Sequence, residues 1–218
     1  MENNKNRSFV ILGAGRFGTS VAATLYSLGH EVLLIDRNED VIQSMTKYCT
    51  HAVIGDCCDE DVLSSLGVRN FDAAVVAIGA DFQSSVLVTV MLKEMGVPYI
   101  IAKVQSDRHA RILERVGADS VVFPEHDSGV RLAHNLSLNN FVDYMELSPD
   151  YSIAEVSCPE SWIGKSITEL NVRAKYGVNI MAVKNQGHIN VSPSPQERFE
   201  ADDVLIVLAS NEDLNRLK

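Results

Sequence analysis

The sequence predicts an α/β protein: a Rossmann-type parallel sheet, then a helical connector, then a small α+β module. Two observations carry this reading. Up to Phe123, short β-branched apolar runs alternate with amphipathic stretches, the pattern of repeated βαβ units covering both faces of a parallel sheet. After Pro149 the pattern changes to strands joined by tight turns, which implies antiparallel pairing.

In the first part, strands are expected over 9–12, 31–35, 52–54, 73–78, 99–104 and 120–123. Between them Phe17, Val21, Leu25 and Leu28 recur at helical spacing, as do Leu63 with Leu66 and Ile112 with Val116. Gly29, Gly67, Gly96 and Gly117 fall where these helices should end. The stretch over 84–95 is apolar on most of its circumference, so it is either sandwiched in the core or covered by another subunit. From 125 to about 141 a helical run containing Val130, Leu132, Ala133, Leu136 and Leu138 follows the last parallel strand and reads as the connector. The module beyond Pro149 reads as strand 153–156, helix 166–175, strand 179–183, a turn at Gly187, a short strand, a Ser-Pro-Ser-Pro turn at 192–195, strand 204–208 and a final helix. Its strands and the apolar residues Ile163, Ile167 and Ile180 are expected to supply its core, and its small size makes dimerisation through a shared face the natural remedy.

Composition narrows the function classes. At 218 residues, with 46% hydrophobic and 22% charged residues, the chain is expected to hold one full domain and one small one, each with a buried core. A formal net charge of −10 opposes phosphate backbones and anionic membrane surfaces, so nucleic acid is not an expected partner. No secretory signal is visible at the start, and no stretch approaches the roughly 18 apolar residues of a membrane span. Cys49, Cys57, Cys58 and Cys158 show neither CxxC pairing nor histidines at zinc spacing, which suits reduced thiols in a cytoplasmic protein.

The strongest local signal is Gly-Ala-Gly-Arg-Phe-Gly, with Gly13, Gly15 and Gly18 directly after the first strand and opening the first helix. In that context the glycines allow the tight turn, the close approach of backbone to phosphate, and close packing of helix on sheet, with the phosphates on the helix N-terminus. Asp36 ends the second strand at the expected distance, where its carboxylate can accept both ribose hydroxyls and would repel a 2′-phosphate; Arg37 beside it works in the other direction. Asp56 ends the third strand and is either an adenine contact or the N-cap of the next helix. Ala77, Ile78 and Gly79 end the fourth strand, where small residues admit the ligand. Arg16 is either a terminal-phosphate reader, in its own or an adjacent subunit, or a surface arginine. Glu125 is either a metal ligand beside a polyphosphate or an acid at a helix N-terminus. Phe17, Cys57 and Lys103 complete the candidate nucleotide contacts.

These motifs, with Gly55-Asp56, the Val-Ala-Ile-Gly run at 76–79, Val-Gly-Ala-Asp at 116–119, Phe-Pro-Glu at 123–125 and LNVRAKYGVNIMAVK at 170–184, resemble the RCK (regulator of potassium conductance) subunits of bacterial Ktr and Trk potassium-uptake systems. The likeness spans essentially the whole chain. It implies an RCK-N domain over 1–134, including the start of a crossover helix, and an RCK-C (TrkA-C) domain over 135–218. It further implies a regulatory subunit that binds ATP, ADP or NAD(H), assembles as homodimers into an octameric ring, and sits beneath an integral membrane potassium-translocating subunit. On that likeness Arg16 reads a terminal phosphate across a dimer interface, Glu125 helps place a divalent or monovalent cation, and the helix over 84–95 serves ring assembly. Cyclic di-AMP is implied as a second effector, with Ile163, Ile167, Arg173, Asn179, His188 and Pro193 as its candidate contacts. Cys57-Cys58 departs from the family pattern, in which small or hydroxyl residues are commoner.

Two other readings compete. A small NAD-dependent oxidoreductase would need an acid–base group, and His30, His51, His109, His126, His134 and His188 are scattered, only His126 standing between two carboxylates, Glu125 and Asp127. A redox sensor would use Cys57 and Cys58, yet adjacent cysteines form only strained disulfides.

Overall fold

The computed structural model describes residues 6–79, 81–137 and 141–217, which fall into two compact units meeting between His126 and Asp127. In the first unit, six strands form one parallel sheet: β1 (Ser8–Leu12), β2 (Glu31–Asp36), β3 (His51–Ile54), β4 (Ala73–Val76), β5 (Ile100–Lys103) and β6 (Ser120–Val122). Their order is β3-β2-β1-β4-β5-β6. Helices α1 (Arg16–Ser27), α2 (Glu39–Met45), α3 (Glu60–Ser65), α4 (Phe82–Glu94) and α5 (Asp107–Val116) link them, and α6 (Pro124–Ser137) follows β6.

The apolar runs are continuous because both sheet faces are covered. Val10 and Leu12 of β1 point to one face, where Leu63, Val88, Leu92 and Leu113 of α3, α4 and α5 pack. Ile11 points to the other, against Ala22, Ile42 and Met45 of α1 and α2. The strand order reverses between β1 and β4, the switch point at which doubly wound sheets open a crevice at their carboxyl edge.

Several boundaries differ from the sequence reading. The fourth strand stops at Val76, so Ala77, Ile78 and Gly79 lie in the loop beyond it, and the second runs on through Asp36. The helix read at 84–95 is α4, which buries Ser85, Val88, Thr89, Met91 and Leu92 and leaves Phe82 and Leu87 exposed. Gly29, Gly67, Gly96 and Gly117 all have positive φ at helix ends, as glycine allows. Of the connector read to about 141, residues 138–140 lie outside the described residues.

The second unit is an antiparallel sheet of order β10-β9-β11-β8-β7, from β7 (Phe141–Glu146), β8 (Tyr151–Ser157), β9 (Asn179–Asn185), β10 (His188–Asn190) and β11 (Val204–Ser210). Strand β7 is not among the strands expected from the sequence; the connector read to about 141 meets it only at Phe141. The helix expected over 166–175 is two short helices, α7 (Ile167–Leu170) and α8 (Val172–Tyr176), because Asn171 between them takes the left-handed conformation, φ 48°. A terminal helix, α9 (Asn211–Arg216), closes the unit. The core is built on Trp162 with Val156, Leu205 and Val207 of the strands and Leu214 of α9. Ile167 and Ile180 pack against it, while Ile163 is 41% exposed and is not part of it.

Candidate functional site

The three loop glycines are required for three different reasons. Gly13 has φ +103°, and a Cβ there would press on the Ala77–Ile78 backbone at 3.2–3.3 Å. A Cβ on Gly18 would overlap the Gly13 carbonyl oxygen. Gly15 meets neither constraint: its backbone is extended, φ −68°, and nothing lies within 4 Å of where a Cβ would stand. Gly15 is also the N-cap of α1, which has no side-chain cap and no acid in its first turn. By contrast Asn38, Asp59, Asp81 and Ser106 cap α2, α3, α4 and α5. The N-terminal dipole of α1 is therefore left for something outside the chain to satisfy.

Around this loop the sheet's carboxyl edge forms a cleft of about 190 Å³ lined by Gly13, Asp36, Arg37, Asp56, Cys57, Ile78, Asp81 and Ser84. Asp36 ties the glycine loop to the second strand: one carboxylate oxygen accepts the Ala14 amide at 2.6 Å, the other the Asn38 amide at 2.8 Å. Its remaining lone pairs leave capacity for hydroxyl donors. Asp56 is not the N-cap of α3, a place taken by Asp59. Its Oδ1 accepts the Cys58 amide at 2.8 Å and the Arg37 guanidinium at 2.7 Å, and these two bonds hold its carboxyl below the usual range. Cys57 is buried with its Sγ 3.6 Å from the Ile35 carbonyl oxygen. Burial and then the Asp36 charge push its thiol up to about 12, so at neutral pH it is a small apolar wall and a poor nucleophile.

A second cluster stands apart from the cleft lining. Lys103 donates to Glu125 at 2.6 Å, with the lysine 12% and the carboxylate 71% exposed. The lysine lies 6.0 Å from the Phe17 ring centroid, and a Cβ on Gly79 would stand 3.3 Å from its Nζ. The Lys103 hydrogen bond holds the Glu125 carboxyl below its ordinary range. Arg16 is exposed at the start of α1. The candidate contacts thus divide between the cleft beside Asp36 and a second cluster at Phe17, Gly79, Lys103 and Glu125. Among the described residues no three His, Cys, Asp or Glu converge as a cation shell.

Asp81 and Ser84 were missed by the sequence reading. The signal was an acid shortly after the fourth strand's carboxyl end, and it is masked because Asp81 also caps α4, accepting from the Ser84 amide at 3.2 Å and its hydroxyl at 2.6 Å.

In the second unit, a pocket of about 280 Å³ takes in His188 with Asn185, Asn190, Glu197, Arg198, Glu200 and Asp203. The other five candidates, Ile163, Ile167, Arg173, Asn179 and Pro193, do not line it. Several of its polar groups are already paired: the Asn185 amide donates to Asp203 at 2.7 Å and to Glu200 at 3.1 Å, and Arg198 pairs with Glu169, outside the lining, at 2.8 Å. Its carboxylates outnumber its guanidinium, which disfavours a phosphate there.

Among the described residues, no helix is long and apolar enough to cross a membrane. Residues 9–124 match the TrkA-N domain model and 153–218 the TrkA-C domain model. The Ktr system potassium uptake protein A of Bacillus subtilis (strain 168) is 44% identical over 214 residues, covering 98% of this chain and 96% of that protein. The Ktr system potassium uptake protein C of the same strain is 43% identical over 212 residues, covering 97% of this chain and 96% of that protein. Among solved structures, the GsuK RCK domain superposes with a TM-score of 0.66 at 19% identity, over 98% of this chain and 47% of that longer chain. The latter is a likeness of fold.

Proposed function

Because this chain belongs to the TrkA-type potassium-uptake regulators, matching both domain models of that family and the Ktr proteins over nearly its whole length, we propose that it is the cytoplasmic regulatory subunit of a membrane potassium-translocating partner, switched by an adenine nucleotide in its first unit. The observation that carries the nucleotide reading is Gly15. Among the described residues no atom lies within 4 Å of where its Cβ would stand, so packing does not exclude a larger side chain, whereas a phosphate packed on the backbone of an uncapped helix N-terminus would.

In this reading the phosphates of ATP, ADP or NAD(H) lie over the first turn of α1, with Arg16 at their far end. The ribose sits over Asp36 with the Arg37–Asp56 pair beside it, and the base enters the cleft at Cys57 and Ile78. Lys103 and Glu125 stand beside the phosphates, and Glu125 takes part in holding an accompanying cation. Residues 1–134 form the nucleotide-binding domain with the start of the crossover helix, and 135–218 the effector domain. The family likeness supports homodimers assembling into an octameric ring and cyclic di-AMP as a second effector. No step of this function requires chemistry on the ligand.

Calorimetric titration of the full chain with ATP, ADP, NADH and cyclic di-AMP, followed by potassium flux from vesicles holding a Ktr- or Trk-type membrane subunit, tests the proposal. Nucleotide binding with flux that depends on which nucleotide is bound is expected. Absence of nucleotide binding, or turnover of NADH with carbonyl substrates, would overturn it in favour of a different class.

A further inference from the structure

Resting on the nucleotide reading above, we infer that Asp56 and Arg37 form a specificity element at the ribose, in which Asp56 holds the Arg37 guanidinium away from the 2′ position so that unphosphorylated adenine ribose is accepted and 2′-phosphorylated nucleotides are turned away. An arginine next to the acid that ends the second strand is the side chain expected to grip a 2′-phosphate. Arg37 occupies that place directly after Asp36, and both line the cleft. Its Nη2, however, is 2.7 Å from Asp56 Oδ1.

The counter-ion is itself held in position. Asp56 follows β3, and the same Oδ1 accepts the Cys58 amide at 2.8 Å, so the carboxylate waits for the guanidinium at a fixed point. The pair is exposed and adds little stability, so a 2′-phosphate could draw Arg37 off it. Doing so would leave the phosphate beside an uncompensated Asp56 and above Asp36. Asp81 lines the same cleft, so three carboxylates face one guanidinium there, a wall unfavourable to a dianion.

The test uses the full chain and displacement of a fluorescent ADP analogue by 5′-AMP and by adenosine 2′,5′-bisphosphate, which differ only in the 2′-phosphate; ADP reports the integrity of the site. The wild type should prefer 5′-AMP by about tenfold or more, the scale of one charge-assisted hydrogen bond. Asp56→Asn keeps an oxygen for the Cys58 amide and removes the charge; it should raise the relative affinity for the bisphosphate by about tenfold. Adding Arg37→Ala should take that gain away. A ratio unmoved by Asp56→Asn, or a gain that survives the loss of Arg37, overturns the inference, as does a parallel loss of both ligands, which would make Asp56 an adenine contact. Failure of the wild type to bind ADP at all would instead sink the nucleotide reading on which it rests.

Discussion

Replacing Gly15 by alanine separates a glycine kept for a ligand from one kept for the fold. In the folded chain the added methyl enters open space on an extended backbone, so it causes no clash. Two small effects on stability oppose each other. Alanine is poorer than glycine at an N-cap by about 0.5–1 kcal/mol, and restricting the unfolded chain returns about 0.4–1 kcal/mol. The melting temperature should therefore scarcely move. In the proposed complex the methyl would stand in the layer through which phosphate oxygens reach the α1 amides. Charge-assisted hydrogen bonds are worth about 1.5–3 kcal/mol each, so losing one corresponds to roughly a ten- to hundredfold weaker ADP affinity. Gly18→Ala is the contrasting control, because its Cβ would overlap the Gly13 carbonyl oxygen and should cost about 1–3 kcal/mol or more in stability. Titration calorimetry with ADP and differential scanning calorimetry read the two quantities. An unchanged ADP affinity in a normally folded Gly15→Ala protein would refute the reasoning.

Much of this architecture was legible because its signals are local. A glycine loop between an apolar strand and an amphipathic helix admits few structures, and the alternation of strands and helices dictates a parallel sheet by handedness and connection length. The second unit was less legible because its elements are short. At Asn171 a single left-handed residue divides α7 from α8, and a helical pattern over ten residues does not reveal it. Strand β7 was hidden because its pairing partner, β8, lies across the turn at 148–150, and pairing is not a property of either segment alone. The site shows the same division. Asp36 was legible from motif spacing, yet its bond to the Ala14 amide and the Arg37–Asp56 pair arise only when β1, β2 and β3 lie side by side. Of the six candidates drawn from family likeness in the second unit, His188 lines the pocket there.

Further expectations follow from the same geometry. Asp36→Ala should lower both ADP affinity, by about tenfold or more, and melting temperature, since its oxygens also hold the Ala14 and Asn38 amides; an unchanged affinity would remove the ribose assignment. Arg16→Ala should weaken ATP more than ADP, and equal losses would confine Arg16 to supporting the loop. Cys57 should resist alkylation at pH 8 as long as the chain is folded. Burial raises its folded thiol from the ordinary 9.0 to about 12, so the unfolded chain alone ionises between those values and stability should fall as pH rises through that window. Rapid labelling of native Cys57, read by mass spectrometry, would contradict that. The last expectation concerns Glu125, whose one bonded oxygen takes the Lys103 ammonium while the carboxylate stays largely exposed. If Glu125 served only as the counter-ion of Lys103, Glu125→Gln would free a nearly buried ammonium and strengthen polyphosphate binding whether or not a divalent cation was present. If it helps hold the cation, the same variant loses the enhancement that magnesium or calcium gives to ATP binding, while metal-free affinity changes little. The second outcome is expected, because an exposed carboxylate held below its ordinary range would, in the proposed complex, be a ready oxygen ligand beside the phosphates. ATP titrations with and without magnesium decide the point; cation enhancement that survives Glu125→Gln would rule out its role as a cation ligand.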